Sequence, residues 1–271
     1  MSAAPGRTRT LTDRDRRRYL RQIAIPRWGE AGQERIARST VFVAGAGGLG
    51  SAVLLYLVAA GVGRLRICDA GRVELSNLNR QVLYRERDLG APKTRSARRA
   101  LSALNRSVRV ETLAAVLTER NAADLVGDAD IMIDCLDNLS ARMALNAHAV
   151  RAGLPLVHAG VGALGGQLML VHPPETACLA CALGSEPAEP AAEAAPAWQS
   201  PPPVLGAAAG VLGCLEALEA LAHLAGIGAA ARGRMLLWDG AALSFETVRV
   251  GKDPRCPVCG PAARSRKEIS C

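Results

Sequence analysis

From Thr40 onward the chain alternates between short apolar runs rich in β-branched residues and longer stretches with apolar positions at helical spacing. The short runs predict strands near 40–45, 65–69, 108–113, 130–134 and 155–159. The longer stretches predict helices over 48–60, 92–104, 118–126 and 139–152. Strands alternating with helices of this length imply a parallel sheet covered on both faces. Ahead of it, residues 13–38 read as one or two helices, with Tyr19, Leu20, Ile23 and Ile25 set among arginines. After Gly162 the rhythm changes. Strands are expected near 167–172, 235–238 and 242–250, with a helix near 205–225 between them. The fold class is α/β: a Rossmann-like, mostly parallel sheet with helices on both faces, extended by antiparallel strands in the C-terminal half.

At 271 residues the chain is long enough for one domain of the larger α/β type. The expected organisation is a flexible arm over 1–12, a single domain over 13–260 and a flexible tail over 261–271. Within the domain, Gly184 to Pro203 stands apart, with Pro187, Pro190, Pro196, Pro201, Pro202 and Pro203 and three glutamates among alanines. That composition builds no core and predicts a mobile loop over 184–203.

Hydrophobic residues make up 49% and charged residues 21%, the balance of a globular protein rather than a disordered one. No apolar stretch reaches the roughly 18–20 residues needed to cross a bilayer; the longest lies near Ala52 to Ala60. The first seven residues lack the apolar core of a signal peptide. A cytoplasmic protein with no membrane partner is expected. The net charge of +8 includes Arg14, Arg16, Arg17, Arg18 and Arg21 near the N-terminus. No aromatic residues interleave with them and no nucleic-acid motif is present, so they read as a solvated arm and helix face rather than a nucleic-acid site. Such a surface can also attract an acidic protein partner.

Chemistry concentrates in four places. Val41 to Gly50 runs from an apolar strand into G-x-G-G-L-G and then a helical pattern, the order in which backbone N–H groups and a helix N-terminus cradle phosphate. Asp69 closes the next apolar run, where an acidic residue reaches a ribose hydroxyl in such units. A nucleotide is therefore expected, although this pattern alone does not separate NAD from ATP.

Next comes the polar segment Leu75-Ser76-Asn77-Leu78-Asn79-Arg80-Gln81, followed by Gly90-Ala91-Pro92-Lys93. Arg80 offers a planar fork and Lys93 a point charge, a pair suited to a triphosphate; the alternative is two ordinary surface cations. Asp134-Cys135-Leu136-Asp137-Asn138 ends the fourth strand, where open α/β sheets bind ligands. A carboxylate there can hold Mg²⁺ through one oxygen and several waters, or Asp137 or Asn138 can simply cap the following helix.

The last place is a pair of C-x-x-C knuckles, Cys178–Cys181 and Cys256–Cys259. Two such pairs make a closed tetrahedral thiolate site that suits structural zinc and ties the end of the chain to its middle. A redox pair or unlinked thiols are the alternatives. Cys68, Cys135 and Cys214 lie in apolar runs and read as inert core residues, and Cys271 as a free tail thiol.

Taken in order, these motifs resemble the ubiquitin-activating-enzyme-like adenylyltransferases. Bacterial members of that family include molybdopterin-synthase and thiazole-biosynthesis adenylyltransferases. The resemblance runs from about Tyr19 to Gly260, and the ordered set is far more specific than any one motif. It implies that Gly45, Gly47, Gly48 and Gly50 form the phosphate loop, and that Asp69 binds the ribose. Asn77, Arg80 and Lys93 would contact the phosphates, and Asp137 would carry Mg²⁺. Arg21, in Leu20-Arg21-Gln22-Ile23, would enter the ATP site of a neighbouring subunit, which implies a homodimer. The nucleotide-binding part would span about 40–160, and the carrier-binding and zinc part about 161–260. The implied substrates are ATP and the C-terminal Gly-Gly carboxylate of a small ubiquitin-like sulfur carrier, giving an acyl-adenylate and pyrophosphate. A separate persulfide donor would then supply sulfur for a thiocarboxylate.

Two features depart from the family pattern. Gly71 stands where many relatives carry a second acidic residue, and the 184–203 loop holds no cysteine, with Gln199 near its expected place. No rhodanese-like region follows the second cysteine pair. Three rival readings remain: adenylation of another peptide or natural-product carboxylate, a non-catalytic binding subunit, and an NAD-dependent oxidoreductase. The presence together of Arg21, Arg80, Lys93 and Asp137 opposes the second. The cysteine pairs and the Asn77–Arg80 segment oppose the third.

Overall fold

The structure, a computed structural model, describes residues 10–184 and 203–261. Most of the expected N-terminal arm, the loop over 184–203 with Gln199, and the tail with Cys271 lie outside the described residues. In chain order the helices are α1 Asp13–Arg18, α2 Leu20–Ile23, α3 Gly29–Arg38, α4 Gly48–Ala60, α5 Lys93–Leu104, α6 Ala122–Val126, α7 Leu139–Ala152, α8 Leu179–Leu183 and α9 Gly206–Ala225. The strands are β1 Thr40–Ala44, β2 Arg64–Cys68, β3 Arg109–Leu113, β4 Ile131–Asp134, β5 Leu156–Gly162, β6 Gly165–Val171, β7 Arg234–Asp239 and β8 Ser244–Arg249.

They form one sheet in the order β3-β2-β1-β4-β5-β6-β7-β8. The first five are mutually parallel, and β6, β7 and β8 add on antiparallel, as the change of rhythm after Gly162 predicted. The chain runs outward from β1 to β2 and β3, then returns past β1 to β4. Helices leaving β1 and β4 therefore diverge, and a crevice opens at the C-terminal ends of those two strands.

Burial on both faces explains the continuous apolar runs. Along β1, Val41 and Val43 pack into one core with α3, α4, α5 and α9, while Phe42 and Ala44 pack into the other with α6, α7 and α8. All five residues of β1 are buried. β8 is exposed along its whole length and closes the sheet as a solvated edge.

Three elements differ from the expectation. Residues 13–38 make three helices, not one or two. Thr12 and Asp15 form a reciprocal capping box at α1, and Arg27, at φ 71°, separates α2 from α3. The helix expected over 118–126 is limited to α6, because Asn121 Oδ1 accepts from both the N–H and the hydroxyl of Thr118 and holds that segment as a turn. The third is α9. At 20 residues, with a mean hydropathy of 1.4 in its most apolar window, it has the length and composition of a membrane span, longer than the apolar stretch at Ala52–Ala60. Yet 67% of that window is buried inside the fold, against α4, α3, β5 and β6. It is a core helix that also buries Glu216 and Glu219. Glu219 is satisfied by the N–H groups of Ala230 (3.1 Å) and Ala231 (2.8 Å).

α9 and α4 approach closely because Gly213 lacks a side chain: a Cβ there would stand 2.6 Å from Leu49 O and 2.9 Å from the Ala52 Cβ. Gly210, one turn earlier, faces open space. Gly213→Ala is expected to lower the unfolding free energy by about 1–3 kcal/mol in urea titrations. Gly210→Ala should leave it unchanged or raise it by up to about 1 kcal/mol. Equal effects at the two positions would contradict this account of the α4–α9 contact.

Candidate active site

β1 ends at Ala44, and the chain turns at Gly45 with φ 94°, a left-handed conformation that side chains strain to adopt. A Cβ on Gly45 would lie 2.5 Å from Cys135 O, and its own N–H donates to Cys68 O at 2.8 Å. The turn is thus wedged between the ends of β2 and β4. Gly47 and Gly48 then open α4 with free N–H groups at the positive end of the helix. Gly50 packs back on the turn: a Cβ there would lie 2.2 Å from Gly45 O. Gly50 lets helix and strand meet, and it does not line the cleft that the other three glycines border.

Asp69, one residue past β2, holds this turn from the side. Its Oδ2 accepts from Ala46 N (2.8 Å) and its Oδ1 from Gly71 N (2.7 Å), while the Tyr84 hydroxyl donates to Ala46 O (2.8 Å). Gly71 has a consequence of its own. A side chain there would begin 3.1 Å from Asp69 Oδ1 and 3.4 Å from Lys93 Nζ. The segment Gly90-Ala91-Pro92-Lys93 is stitched alongside by backbone bonds, Val73 N to Ala91 O (2.9 Å) and Lys93 N to Gly71 O (3.0 Å), which bring the Lys93 ammonium to the cleft. Arg80 comes from the turn after Leu75–Asn77, with Nη1 donating to Ser76 O (2.9 Å) and Asn79 Oδ1 (3.1 Å). Gly206, the first residue of α9, presses on that turn from behind.

Asn77 is buried and spends its amide locally, accepting from Glu74 N (3.3 Å) and donating to the Ser76 hydroxyl (3.4 Å). It shapes the segment that carries Arg80 and does not itself line the cleft.

At the end of β4 the choice between the two capping candidates is made. Asn138 caps α7, its Oδ1 accepting from Ala141 N at 2.9 Å. Asp137 is left exposed on the cleft wall. An exposed carboxylate facing an open cleft beside a phosphate-type loop fits Mg²⁺, which takes one or two carboxylates and otherwise phosphate and water oxygens.

Gly45, Gly47, Gly48, Asp69, Arg80, Lys93 and Asp137 therefore line one cleft of about 520 Å³ at the crevice between β1 and β4. Arg21 does not join them. It stands exposed on α2.

The structure adds residues that the motif reading passed over. Gln81, buried, lines the cleft with Oε1 unpartnered. Arg142, in the first turn of α7, lines it beside Gly160. A cation in the first turn opposes the helix dipole, and that was the available signal in the sequence. Beneath the wall, Asp134 is fully buried and meets His158 Nδ1 at 2.8 Å. Neighbouring Cys135 donates to Glu216 Oε2 of α9 at 3.6 Å. Burial and the nearby Asp134 charge hold the Glu216 carboxyl well above the usual carboxylate range.

Cys68 and Cys135 are buried as expected, although both touch the cleft. Burial and the charge of Asp69 push the Cys68 thiol up to about 11, and burial beside Glu216 raises Cys135 well above the ordinary thiol range. Neither is a ready thiolate nucleophile. Cys214 is only half-buried, on α9 near Tyr56, and is not the core residue expected.

The four knuckle cysteines come together although 78 residues separate facing members of the two pairs. Their sulfurs all lie within 4.8 Å of one another, with Cys178–Cys256 at 3.6 Å, Cys181–Cys259 at 3.4 Å and Cys178–Cys181 at 4.0 Å. Sulfurs on a tetrahedral zinc with bonds of about 2.3 Å stand about 3.8 Å apart. Backbone N–H groups of Asp253 and Cys259 point at Cys181 (3.4 Å) and Cys256 (3.5 Å), as second-sphere donors to bound thiolates do. The donor set fits zinc.

Comparison with known proteins agrees with this geometry. The profile of the ThiF family matches residues 19–258. The chain is 42% identical over 257 residues to the sulfur carrier protein adenylyltransferase of Thermus thermophilus, covering 93% of each chain. It is 38% identical over 251 residues to the sulfur carrier protein ThiS adenylyltransferase of Escherichia coli K12, covering 92% of this chain and 97% of that one. Among solved structures, E. coli MccB with MccA-N7isoASN superposes with a TM-score of 0.80 at 23% identity, over 94% of this chain and 77% of the other. At that identity the likeness is one of fold.

Elemental analysis of the purified protein is expected to find about one zinc per chain. Cys178→Ser and Cys259→Ser should each lose the metal and unfold at lower temperature, because metal-binding energy here is folding energy. Stoichiometric zinc surviving the loss of either pair would overturn the assignment.

Proposed function

The chain belongs to the ThiF family and is an adenylyltransferase, and we propose that the carboxylate it activates is the C-terminal Gly-Gly of a small ubiquitin-like sulfur carrier. The observation that carries this reading is the single cleft in which Arg80, Lys93 and the uncapped Asp137 face the glycine turn held by Asp69. Likeness to two sulfur carrier adenylyltransferases over more than nine tenths of this chain supports the choice of carrier.

In this reading the ribose lies at Asp69, and the triphosphate lies over the N–H groups of Gly47 and Gly48. One carboxylate oxygen of the carrier attacks the α-phosphorus; the bond from that phosphorus to the β-phosphate bridging oxygen breaks, and pyrophosphate leaves. The product is an acyl-adenylate. No protein nucleophile is required, so the reaction needs position and charge neutralisation. Arg80 and Lys93 offset the phosphate charge, and Asp137 would hold Mg²⁺, which neutralises the polyphosphate when bound. The raised thiols of Cys68 and Cys135 accord with a reaction that uses neither as nucleophile. The terminal sulfur of a separate persulfide donor would then attack the acyl carbon and displace AMP, giving an acyl disulfide. Attack of a second thiol on the donor's sulfur would break that S–S bond, releasing the thiocarboxylate and leaving the donor in a disulfide. The reading includes a homodimer in which Arg21, exposed on α2, serves the neighbouring subunit's site, and a cytoplasmic setting without membrane or nucleic-acid partners.

Exchange of labelled pyrophosphate into ATP should depend on added Gly-Gly-terminated carrier. Asp137→Ala should abolish it, and Arg80→Ala and Lys93→Ala should each cost about a hundredfold, the scale of removing one charge-stabilising contact. Exchange driven by a short peptide but not by any carrier would transfer the assignment to peptide adenylation.

For the shared site, Arg21→Ala and Asp137→Ala proteins are each expected to be inactive, and mixing them should restore activity through hybrid dimers that hold one intact site. If subunits exchange and no activity returns, Arg21 acts within its own chain or not at all.

A further inference from the structure

One cation of the cleft has no task in the reaction as described. Arg142 is fixed by one hydrogen bond and one ion pair: Nη2 donates to Leu136 O at 2.6 Å, and Nε lies 3.1 Å from Asp134 Oδ2 without the alignment of a hydrogen bond. Asp134 is itself fixed, its Oδ1 accepting from Leu136 N at 3.0 Å and its Oδ2 meeting the buried His158 Nδ1 at 2.8 Å. A buried carboxylate must be compensated in this way, and once compensated it is a rigid anchor. What remains of the guanidinium is the Nη1 edge. It lies near Gly160 of β5, where a Cβ would stand 3.9 Å from Nη1, and both residues line the cleft.

The order of strands places this edge. Asp69 follows β2, the glycine turn follows β1, Asp137 follows β4, and Gly160 lies on β5, so the four mark successive stations across the sheet. A nucleotide with its ribose at the β2 end and its phosphates over the glycine turn leaves the β5 end open. Gly160, Val161 and Val204 line the cleft at that end, and in the adenylylation reading it is left to the acyl substrate. We propose that Arg142 is the residue that receives the substrate's terminal carboxylate, and that Asp134 and His158 are positioning residues that aim its free edge. The proposal rests on the adenylylation reading above. A pre-oriented fork suits it better than a flexible ammonium, because it sets the direction of the carboxylate as well as holding it. Asp134 also offsets the charge of Arg142, so the carboxylate is oriented by hydrogen bonds without being trapped by a bare cation.

The test measures binding of a fluorescently labelled Gly-Gly-terminated ubiquitin-like carrier, with α,β-methylene-ATP present, against the same carrier bearing a C-terminal amide. Wild type is expected to favour the free carboxylate. Arg142→Gln should lower the ratio of the two affinities about tenfold or more, the value of one hydrogen bond to a charged group. A purely structural role would weaken both carriers alike and leave the ratio unchanged, which would overturn the proposal. So would a wild type that binds both forms equally, or a variant that loses only affinity for the nucleotide analogue. Arg142→Lys keeps a cation for buried Asp134 and loses the fork. If the glutamine variant fails to fold, the lysine variant must show the fall in ratio. Failure of the wild type to bind either carrier would instead overturn the sulfur-carrier assignment on which the proposal rests.

Discussion

The backbone at Gly45 is the contact on which the cleft depends. Three chain segments converge there with no space for a single carbon: the Cys135 carbonyl on one side, the Cys68 carbonyl accepting its N–H on the other, and Gly50 folded back against its own oxygen. Because β1 lies between β2 and β4, this crowding locks the ends of three strands together at the point where the chain reverses its direction across the sheet. Everything the site needs is then measured from one fixed turn. Asp69 and Tyr84 grip Ala46 from both sides, and the first turn of α4 presents its free N–H groups into the space that the crowding leaves.

Around that turn the charges fall into two kinds. Asp134 and Glu216 are buried and sit under the cleft, one matched by His158 and Arg142, the other pushed above the usual carboxylate range by burial and contacted by Cys135. Asp137, Arg80 and Lys93 stand on the cleft surface. The first kind builds a rigid floor at the cost of desolvation, which only close pairing offsets. The second kind can meet a ligand. α9 links the two, since its first glycine supports the Arg80 turn and Glu216, nearly three turns later, reaches the floor.

The cysteine cluster solves a separate problem. β6, β7 and β8 extend the sheet beyond the parallel core, and β8 buries nothing. A strand so exposed gains little from packing. Tying Cys256 and Cys259, just after β8, to Cys178 and Cys181 beside α8 closes the chain over the far end of the sheet. A metal there would supply the cohesion that apolar burial does not.

Local pattern made much of this legible. Strand–helix alternation, the glycine turn and the paired C-x-x-C knuckles are short-range signals, each set by the geometry of a few consecutive residues, and they determined the fold class, the crevice and the metal-type cluster. Motif order drew Asp69, Arg80, Lys93 and Asp137 into one hypothesis, and the structure places all four on one cleft. What pattern did not decide were the outcomes of competition between distant groups. Asn138 rather than Asp137 caps α7 because its amide meets the Ala141 N–H. Asn77 turns inward to hold its own turn, and Gly50 serves a carbonyl instead of a ligand. Arg142 reads as an ordinary helix cation until Asp134 and Gly160 are brought beside it from two other strands. Likewise α9 carries the hydropathy of a membrane span, and only its packing against α4 and β5 makes it a core helix with two buried carboxylates. Sequence determines what each segment can do alone; which capacity is used depends on partners that only the folded chain brings within a few ångströms.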